Sequence, residues 1–436
     1  MKQSKLKKVF PNSAGIDIGS EKIFIGIEDK DVKSFPTFTD SYLKAIEYLK
    51  ENNISTVAME ATGVYWFSFY DLLEESGIDV FLVNGRDVKN VPDRKSDVAD
   101  CQWLQQLHSF GLLRPCFIPD DITRQLRTYT RLRLDHLSMA AQHIQHMQKS
   151  LILMNIKLSN VISQINGKSG MRILKAIISG NHNPYKLVEL CEVSILKKKK
   201  ELVIASLKGN FRDEHIFSLK QAVDAYEFYQ KQIHDCDFRI QELLERINRD
   251  RTAPDNITKP KHVRHNEPQI DNLHEHLMKL TGGKDPAQVT GLSDKALLEL
   301  ISETGLDLSK WKTEKHFTSW LCLCPTKHQS GKSNKKWKKR GNTKAGQIFR
   351  NAAYSITNSK YSALSAFHNR IKAKKGSLVA IKATARKLAV LYYRVMTKGT
   401  LFVEQGLIAY QQKFKEQQIR RLQKQAKHLG LQLITP

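Results

Sequence analysis

The chain has 436 residues, 41% of them hydrophobic, which is enough for two or three domains with buried cores. Its 70 lysines and arginines exceed its 44 acids, and the formal net charge of +26 favours nucleic acid, before a membrane surface, as the partner. No segment approaches the roughly 18 consecutive apolar residues of a membrane span, and the basic N-terminus lacks the apolar core of a signal peptide. We therefore expect a soluble, cytoplasmic protein with no membrane partner.

The first 120 residues alternate between short β-branched runs and amphipathic stretches, which predicts an α/β domain with a mixed sheet covered by helices. The predicted strands are two within 14–27, joined by a Gly-Ser-Glu-Lys turn, then 34–38, 55–63 and 78–84. The predicted helices are 40–52, 66–77 and 94–111.

Residues 121–250 predict a long helical arm. Apolar residues recur at steps of three and four from Asp121 to about Asn160, and again over 217–248, as in amphipathic helices. These two helices could pair with each other as an antiparallel hairpin, or with another subunit. The four lysines 197–200 between them are either a solvated run or a contact to a nucleic-acid backbone.

The sequence after residue 250 predicts a linker followed by an all-α region. Residues 251–272 contain three prolines and no apolar period, which indicates a linker. Residues 273–400 are expected to form a mostly helical domain, and 401–436 a C-terminal amphipathic helix. Within this domain, 289–305 is compatible with a helix-hairpin-helix phosphate contact at Ser293 or with an ordinary helical hairpin.

Four carboxylates of the first domain are expected to meet. Asp17 interrupts an apolar strand, Glu60 closes another, and Asp97 and Asp100 are three apart on one helix face. Like charges brought together repel unless cations lie between them, and oxygen ligands suit Mg²⁺ or Mn²⁺. Two such ions can assist phosphodiester chemistry. The alternative is four unrelated surface carboxylates.

The stretch HQSGKS (328–333) precedes a dense basic run. It is not a nucleotide-binding P-loop, because Thr326 stands where that motif needs its first glycine. The basic run suits phosphate contacts, and Trp337 within it could stack on a base. Its predicted nucleic-acid contacts are Lys332, Lys335, Lys336, Trp337, Lys338, Lys339, Arg340, Lys344 and Arg350. On chemistry alone, Ser330 is an ordinary loop serine and Ser333 is nearly as good a nucleophile.

Several motifs together resemble one known family. They are GIDIGSEK (15–22), AMEATGVYW (58–66), VNGRDVKNVPDRKSDVADCQWL (83–104), SGKSNKKWKKRGNTKAGQIFRNAAY (330–354) and KKGSLVAIKATARKLAVLYYRVM (374–396). The chain resembles the DEDD transposases of insertion sequences, the group that includes the pilin-gene invertases. The resemblance covers nearly the whole chain.

That resemblance implies a fold, a site and partners. The fold is an RNase H-like, RuvC-like domain, a coiled-coil arm that mediates oligomerisation, and a C-terminal transposase domain. Asp17, Glu60, Asp97 and Asp100 match the metal-binding tetrad, and Ser330 matches the serine nucleophile. The implied partners are element and target DNA, a structured non-coding (bridge) guide RNA, and further subunits, from dimer to tetramer, in the bacterial nucleoid.

Two other functions stay open on the sequence. A junction-resolving nuclease would use the metal site with water and would not need Ser330. A non-enzymatic nucleic-acid-binding protein would use the basic surface alone.

Overall fold

The computed structural model describes residues 7–88, 97–254, 266–324, 328–330, 333–335, 342–357 and 363–431. The chain divides into two compact units, Met1–Ile118 and Pro119–Pro436. The finer division of the second unit into arm, linker and C-terminal domain remains a prediction.

The first unit is built on a five-stranded mixed sheet, as predicted. Its strands are β1 (Ser13–Ile18), β2 (Lys22–Ile27), β3 (Lys33–Pro36), β4 (Thr56–Glu60) and β5 (Asp79–Val83). The spatial order is β3-β2-β1-β4-β5, in which β2 runs antiparallel to both β1 and β3, while β4 runs parallel to both β1 and β5. Its helices are α1 (Thr39–Glu51), α2 (Trp66–Glu75), α3 (Gly85–Val88) and α4 (Asp97–Ser109).

The two faces of this sheet differ because side chains alternate along each strand. The even positions of β1, such as Ile16, are fully buried with Leu49 of α1 and Phe69 of α2 in one apolar core. The odd positions, Gly15 and Asp17, therefore belong to the opposite face. That face is where α4 packs.

The second unit is mostly helical. Its helices are α5 (Asp121–Leu153), α6 (Lys168–Ile178), α7 (Pro184–Val188), α8 (Val193–Ser206), α9 (Asp213–Asn248), α10 (Leu273–Thr281), α11 (Asp294–Thr304), α12 (Glu314–Trp320), α13 (Lys344–Ile356), α14 (Ala363–Lys375), α15 (Ser377–Lys398) and α16 (Thr400–His428). Short 3-10 turns span Leu158–Asn160 and Pro286–Gln288, and two short strands, β6 (His328–Ser330) and β7 (Ser333–Lys335), form a hairpin.

The long helices α5 and α9 pack against each other within the chain. The guanidinium of Arg246 donates to Gln125 Oε1 at 2.8 Å, and Ser150 Oγ donates to Ser218 Oγ at 3.2 Å. Because the residue numbers rise on one helix as they fall on the other, the pair is antiparallel. The intramolecular hairpin, one of the two predicted arrangements, is therefore present.

Residues 157–212, which connect α5 to α9, form what we call the helical cap. It contains α6, α7 and α8, none of which the sequence analysis predicted. Ile173, Leu187 and Val203, one from each helix, are fully buried in a core shared with the ends of α5 and α9. The cap is therefore a folded element and not a loose connection.

The C-terminal helices surround an aromatic core. The ring centroids of Phe317 on α12 and Phe349 on α13 lie 6.1 and 5.6 Å, respectively, from the ring centroid of Tyr392 on α15. All three side chains are fully buried. Ser293 caps α11 by accepting from the amide of Ala296. None of the helices in the described part of the chain is long and apolar enough to cross a membrane.

Candidate active site

Asp17 and Glu60 lie together because their strands are parallel neighbours. The register of β1 and β4 pairs Ile16 with Met59. Continuing it by one residue sets Asp17 opposite Glu60, the last residue of β4. Both carboxylates thus lie at the carboxyl ends of adjacent strands, the edge at which parallel α/β sheets bind ligands.

Helix α4 reaches this face over a row of residues with little or no side chain. Gly15 pairs with Gly26 on β2 and with Ala58 on β4. A Cβ at Gly15 would lie 2.0 Å from the carbonyl oxygen of Cys101, and one at Gly26 would lie 3.1 Å from the amide nitrogen of Gln102. The helix backbone therefore rests directly on the strand backbones, a close approach that glycine allows.

The direction of α4 relative to β4 follows from a contact made by the last turn of the helix. His108 Nε2 lies 3.0 Å from Thr56 Oγ1, at the first residue of β4. Burial lowers the pKa of His108 to about 4, so the ring is neutral at physiological pH. Since the last turn of α4 lies at the amino end of β4, its first turn, with Asp97 and Asp100, lies towards the end occupied by Glu60.

The pKa of Asp17 reflects the negative charges of the other three acids. Its pKa is raised to about 6, first by burial and then by the negative charges of Asp97, Glu60 and Asp100 in that order, opposed by a backbone hydrogen bond from Ile18. Desolvation and like charge both disfavour the ionised form. The fold has thus brought the four sequence-predicted acids into one electrostatic cluster.

Gly85 also shapes this cluster. A Cβ at this position would lie 2.0 Å from Glu60 Oε1, so any larger residue would require the Glu60 carboxylate to move. Gly85, Gly15 and Gly26 were not among the residues predicted for the site. The signal for Gly85 was its place just after the strand β5, but its contact with Glu60 depends on the tertiary fold.

The donor set fits a hard divalent cation. All four side chains offer carboxylate oxygens, which Mg²⁺ and Mn²⁺ prefer. Asp97 and Asp100 lie in the first turn of α4, where the positive end of the helix dipole favours negative charge. Within the part of the chain that the structure describes, no three acidic, histidine or cysteine side chains converge into a ready coordination shell.

The structure describes the backbone of the predicted nucleophile. Ser330 ends β6 and pairs with Ser333, the first residue of β7. It therefore lies in a hairpin rather than in the irregular loop expected. Because the two serines are partners in the ladder, the backbone does not favour one over the other.

The predicted basic contacts are only partly described. Lys344 is exposed in the first turn of α13, whereas Arg350 is half-buried and donates to Gln347 Oε1 at 3.3 Å. Burial lowers the pKa of Arg350. Lys335 is described only as a residue of β7, and the other predicted contacts lie outside the described residues: Lys332, Lys336, Trp337, Lys338, Lys339 and Arg340.

Two family models match the chain. Residues 14–156 match a transposase model of the IS110 type named for its DEDD residues. Residues 287–369 match the model of the transposase family IS116/IS110/IS902. The first match contains all four carboxylates and the second contains Ser330. A comparison with curated proteins finds no match.

Proposed function

The chain belongs to the IS110 family of transposases, enzymes that recombine DNA, and from that premise we propose that it cuts and rejoins DNA through a covalent phosphoserine at Ser330. The observation that supports this most directly is the location of the two family matches. One spans the carboxylate cluster and the other spans the serine, so both halves of the proposed chemistry lie in regions similar to transposases.

The carboxylate cluster is proposed as the cation site of the reaction. Asp17, Glu60, Asp97 and Asp100 would hold Mg²⁺ or Mn²⁺, because their mutual repulsion is relieved by a divalent counter-charge. When bound there, the cation would supply charge neutralisation on the scissile phosphate. The strand order and the acids at the ends of β1 and β4 support an RNase H-like, RuvC-like plan for this unit.

The proposed serine step is a transesterification at phosphorus. The Ser330 hydroxyl oxygen forms a bond to phosphorus as the bond from phosphorus to the 3′ oxygen breaks. The hydroxyl proton leaves, and the departing strand takes up a proton as a free 3′-hydroxyl. The 5′-phosphoserine that remains is then attacked by a 3′-hydroxyl of the new partner strand, which releases the serine.

Substitution of the two paired serines tests this assignment. With a nicked DNA substrate that traps the intermediate, we expect the protein–DNA adduct to disappear in Ser330→Ala and to persist in Ser333→Ala. The reverse pattern would transfer the role to Ser333. Metal-dependent cleavage that continues in Ser330→Ala without an adduct would favour a junction-resolving nuclease that uses water.

The carboxylates are tested in the same assay. Asp17→Asn should abolish adduct formation in Mg²⁺ and in Mn²⁺, while binding to DNA persists. If the unsubstituted protein shows no metal-dependent strand cleavage, the result would favour a non-enzymatic nucleic-acid-binding protein.

We further propose that a structured non-coding (bridge) RNA guides the reaction and that the helical arm supports a dimeric to tetrameric, coiled-coil assembly. The family resemblance and the net charge of +26 support these partners. Expression with the native flanking DNA, followed by sequencing of the RNA that purifies with the protein, tests the first point. Recombination that is unaffected by ribonuclease would contradict it.

A further inference from the structure

The helical cap lies outside the regions that resemble transposases. The two family matches cover residues 14–156 and 287–369, and the cap spans 157–212. Nothing in those matches assigns it a role, although it has its own buried apolar residues. Its surface must therefore be interpreted from its own chemistry.

That surface is strongly basic. The cap contains eleven lysines and arginines but only three acids, Glu189, Glu192 and Glu201. All eleven cations are exposed: Lys157, Lys168, Arg172, Lys175, Lys186, Lys197, Lys198, Lys199, Lys200, Lys208 and Arg212. Two of them make ion pairs, Lys175 with Glu227 at 2.5 Å and Arg212 with Glu214 at 2.6 Å.

Helix α6 shows how the cap separates its apolar and basic faces. Ile173 and Ile177 are fully buried in the core. Lys168 and Arg172 are exposed and stand four residues apart, so they project from one face of the helix. The cations therefore form a row on the outer surface of α6.

Helix α8 adds the four consecutive lysines 197–200. The helix kinks at Lys199, where φ is −141° and ψ is 18°, and Lys199 Nζ donates to the carbonyl oxygen of Val161 at 2.7 Å. Lys197 and Lys198 make no ion pair with any described residue. Adjacent unpaired cations repel one another, and a polyanion relieves that repulsion.

We propose that the helical cap is a second nucleic-acid-binding surface, which contacts the phosphate backbone of a duplex through α6 and α8. Exposed cations spread over two helices suit a regular row of phosphates, and such contacts position a nucleic acid without reading its sequence. DNA and folded RNA both present this backbone, so the source is decided by experiment.

The test uses the full-length protein and two probes of equal length, a random-sequence DNA duplex and an RNA duplex. We compare Lys168→Gln/Arg172→Gln/Lys197→Gln/Lys198→Gln with the unsubstituted protein by fluorescence anisotropy over a range of salt. For the duplex that the cap binds, the affinity of the quadruple variant at low salt should be lower than that of the unsubstituted protein. For B-DNA, the slope of log affinity against log salt should become shallower by about 0.9 for each phosphate that the variant no longer neutralises.

Two controls separate the cap from overall charge. Lys44→Gln/Lys50→Gln removes two exposed lysines of α1 and should weaken binding less than the matched pair Lys197→Gln/Lys198→Gln. Lys197→Arg/Lys198→Arg keeps the charge and should retain binding. Unchanged affinity and slope for both duplexes in the quadruple variant, or an equal loss in the α1 pair, would overturn the proposal. The adduct assay for Ser330 is separate and reports on the proposed chemistry alone.

Discussion

At the scale of single residues, Asp17 is the most informative side chain. It lies on an otherwise buried strand, and burial and its three acidic neighbours raise its pKa to about 6. An ionised carboxylate in such a place costs folding free energy that only a counter-charge or a proton relieves. The ionised form of Asp17 therefore lowers the stability of the fold at neutral pH, and a cation at the proposed site would relieve that cost.

Asp17→Asn should raise the melting temperature of the metal-free protein at neutral pH. Since the folded pKa of about 6 lies above the ordinary value of 3.8, the ionised carboxylate destabilises the fold fully above pH 6, and this effect disappears as pH falls through 3.8. Thermal unfolding with a chelator, followed across this range, measures the difference. Asp79→Asn, at an exposed aspartate that begins β5, is the control and should change little. A lower melting temperature for Asp17→Asn at neutral pH would contradict the charge cluster.

Divalent-cation binding should weaken in acid for the same reason. Below pH 6 a proton on Asp17 competes with the cation, so Mn²⁺ affinity should fall by up to about tenfold per pH unit. Titration calorimetry at several pH values measures it, and Glu60→Gln should weaken binding at every pH. Affinity that is constant across pH 6 would show that Asp17 is not a ligand.

At the scale of secondary-structure elements, the contact between α4 and the sheet positions the site. Two acids come from strands that share a register, and two come from a helix that must approach those strands closely. The pairing of Gly15 with Gly26 makes the approach possible. A glycine in a strand interior usually weakens the strand, so its presence here is explained by the packing it permits.

Gly15→Ala should displace α4 and disturb the cluster. Its new Cβ would lie 2.0 Å from the carbonyl oxygen of Cys101, a backbone atom that cannot move alone. Overpacking of this kind lowers the free energy of unfolding by about 1–3 kcal/mol, and chemical denaturation measures it. Mn²⁺ affinity should fall as well. Gly167→Ala is the matched control, because its Cβ would meet no atom closer than 3.4 Å. Equal effects of the two substitutions would argue against the docking role of Gly15.

At the scale of the whole molecule, a buried ion pair connects distant parts of the chain within the second unit. The Arg133 guanidinium on α5 donates to Asp237 on α9 at 2.5 Å, and both side chains are buried. The second oxygen of Asp237 accepts from the backbone amide of Gln269 at 3.1 Å. One carboxylate thus links both arm helices to the segment that leads into the C-terminal helices.

Asp237→Leu should cost about 3–5 kcal/mol in the free energy of unfolding, because it leaves Arg133 charged and buried without its partner. The double variant Arg133→Met/Asp237→Leu should recover part of that loss, since neither charge of the buried pair remains. Recovery should be incomplete, because the backbone amide of Gln269 loses the acceptor that Asp237 provides. Denaturant unfolding of the three proteins measures this. A double variant no more stable than Asp237→Leu would contradict the account.

The sequence by itself determined the strands and main helices of the first unit, the two long helices of the arm and the candidate acids. Strands, long helices and their apolar faces follow from periodicity, which is a local property, and the mixed sheet follows from the order of those elements. Asp17 and Glu60 could be selected because an acid within or at the end of an apolar strand is costly unless a counter-charge holds it. Asp97 and Asp100 could be selected because their spacing of three places them on one helix face. The resemblance to transposases, which the family matches confirm, also depended on local motifs.

Only the tertiary structure decided how these elements meet. The direction of α4, the packing of Gly15 and Gly85, and the helical cap each depend on contacts between residues far apart in the sequence. The five-residue helix α7 is stabilised mainly by burial of Leu187 and Val188, so its local signal is weak. The hairpin of Ser330 pairs two strands of three residues, too short for a detectable alternation. Close packing against distant residues, rather than local preference, settled the geometry of the site.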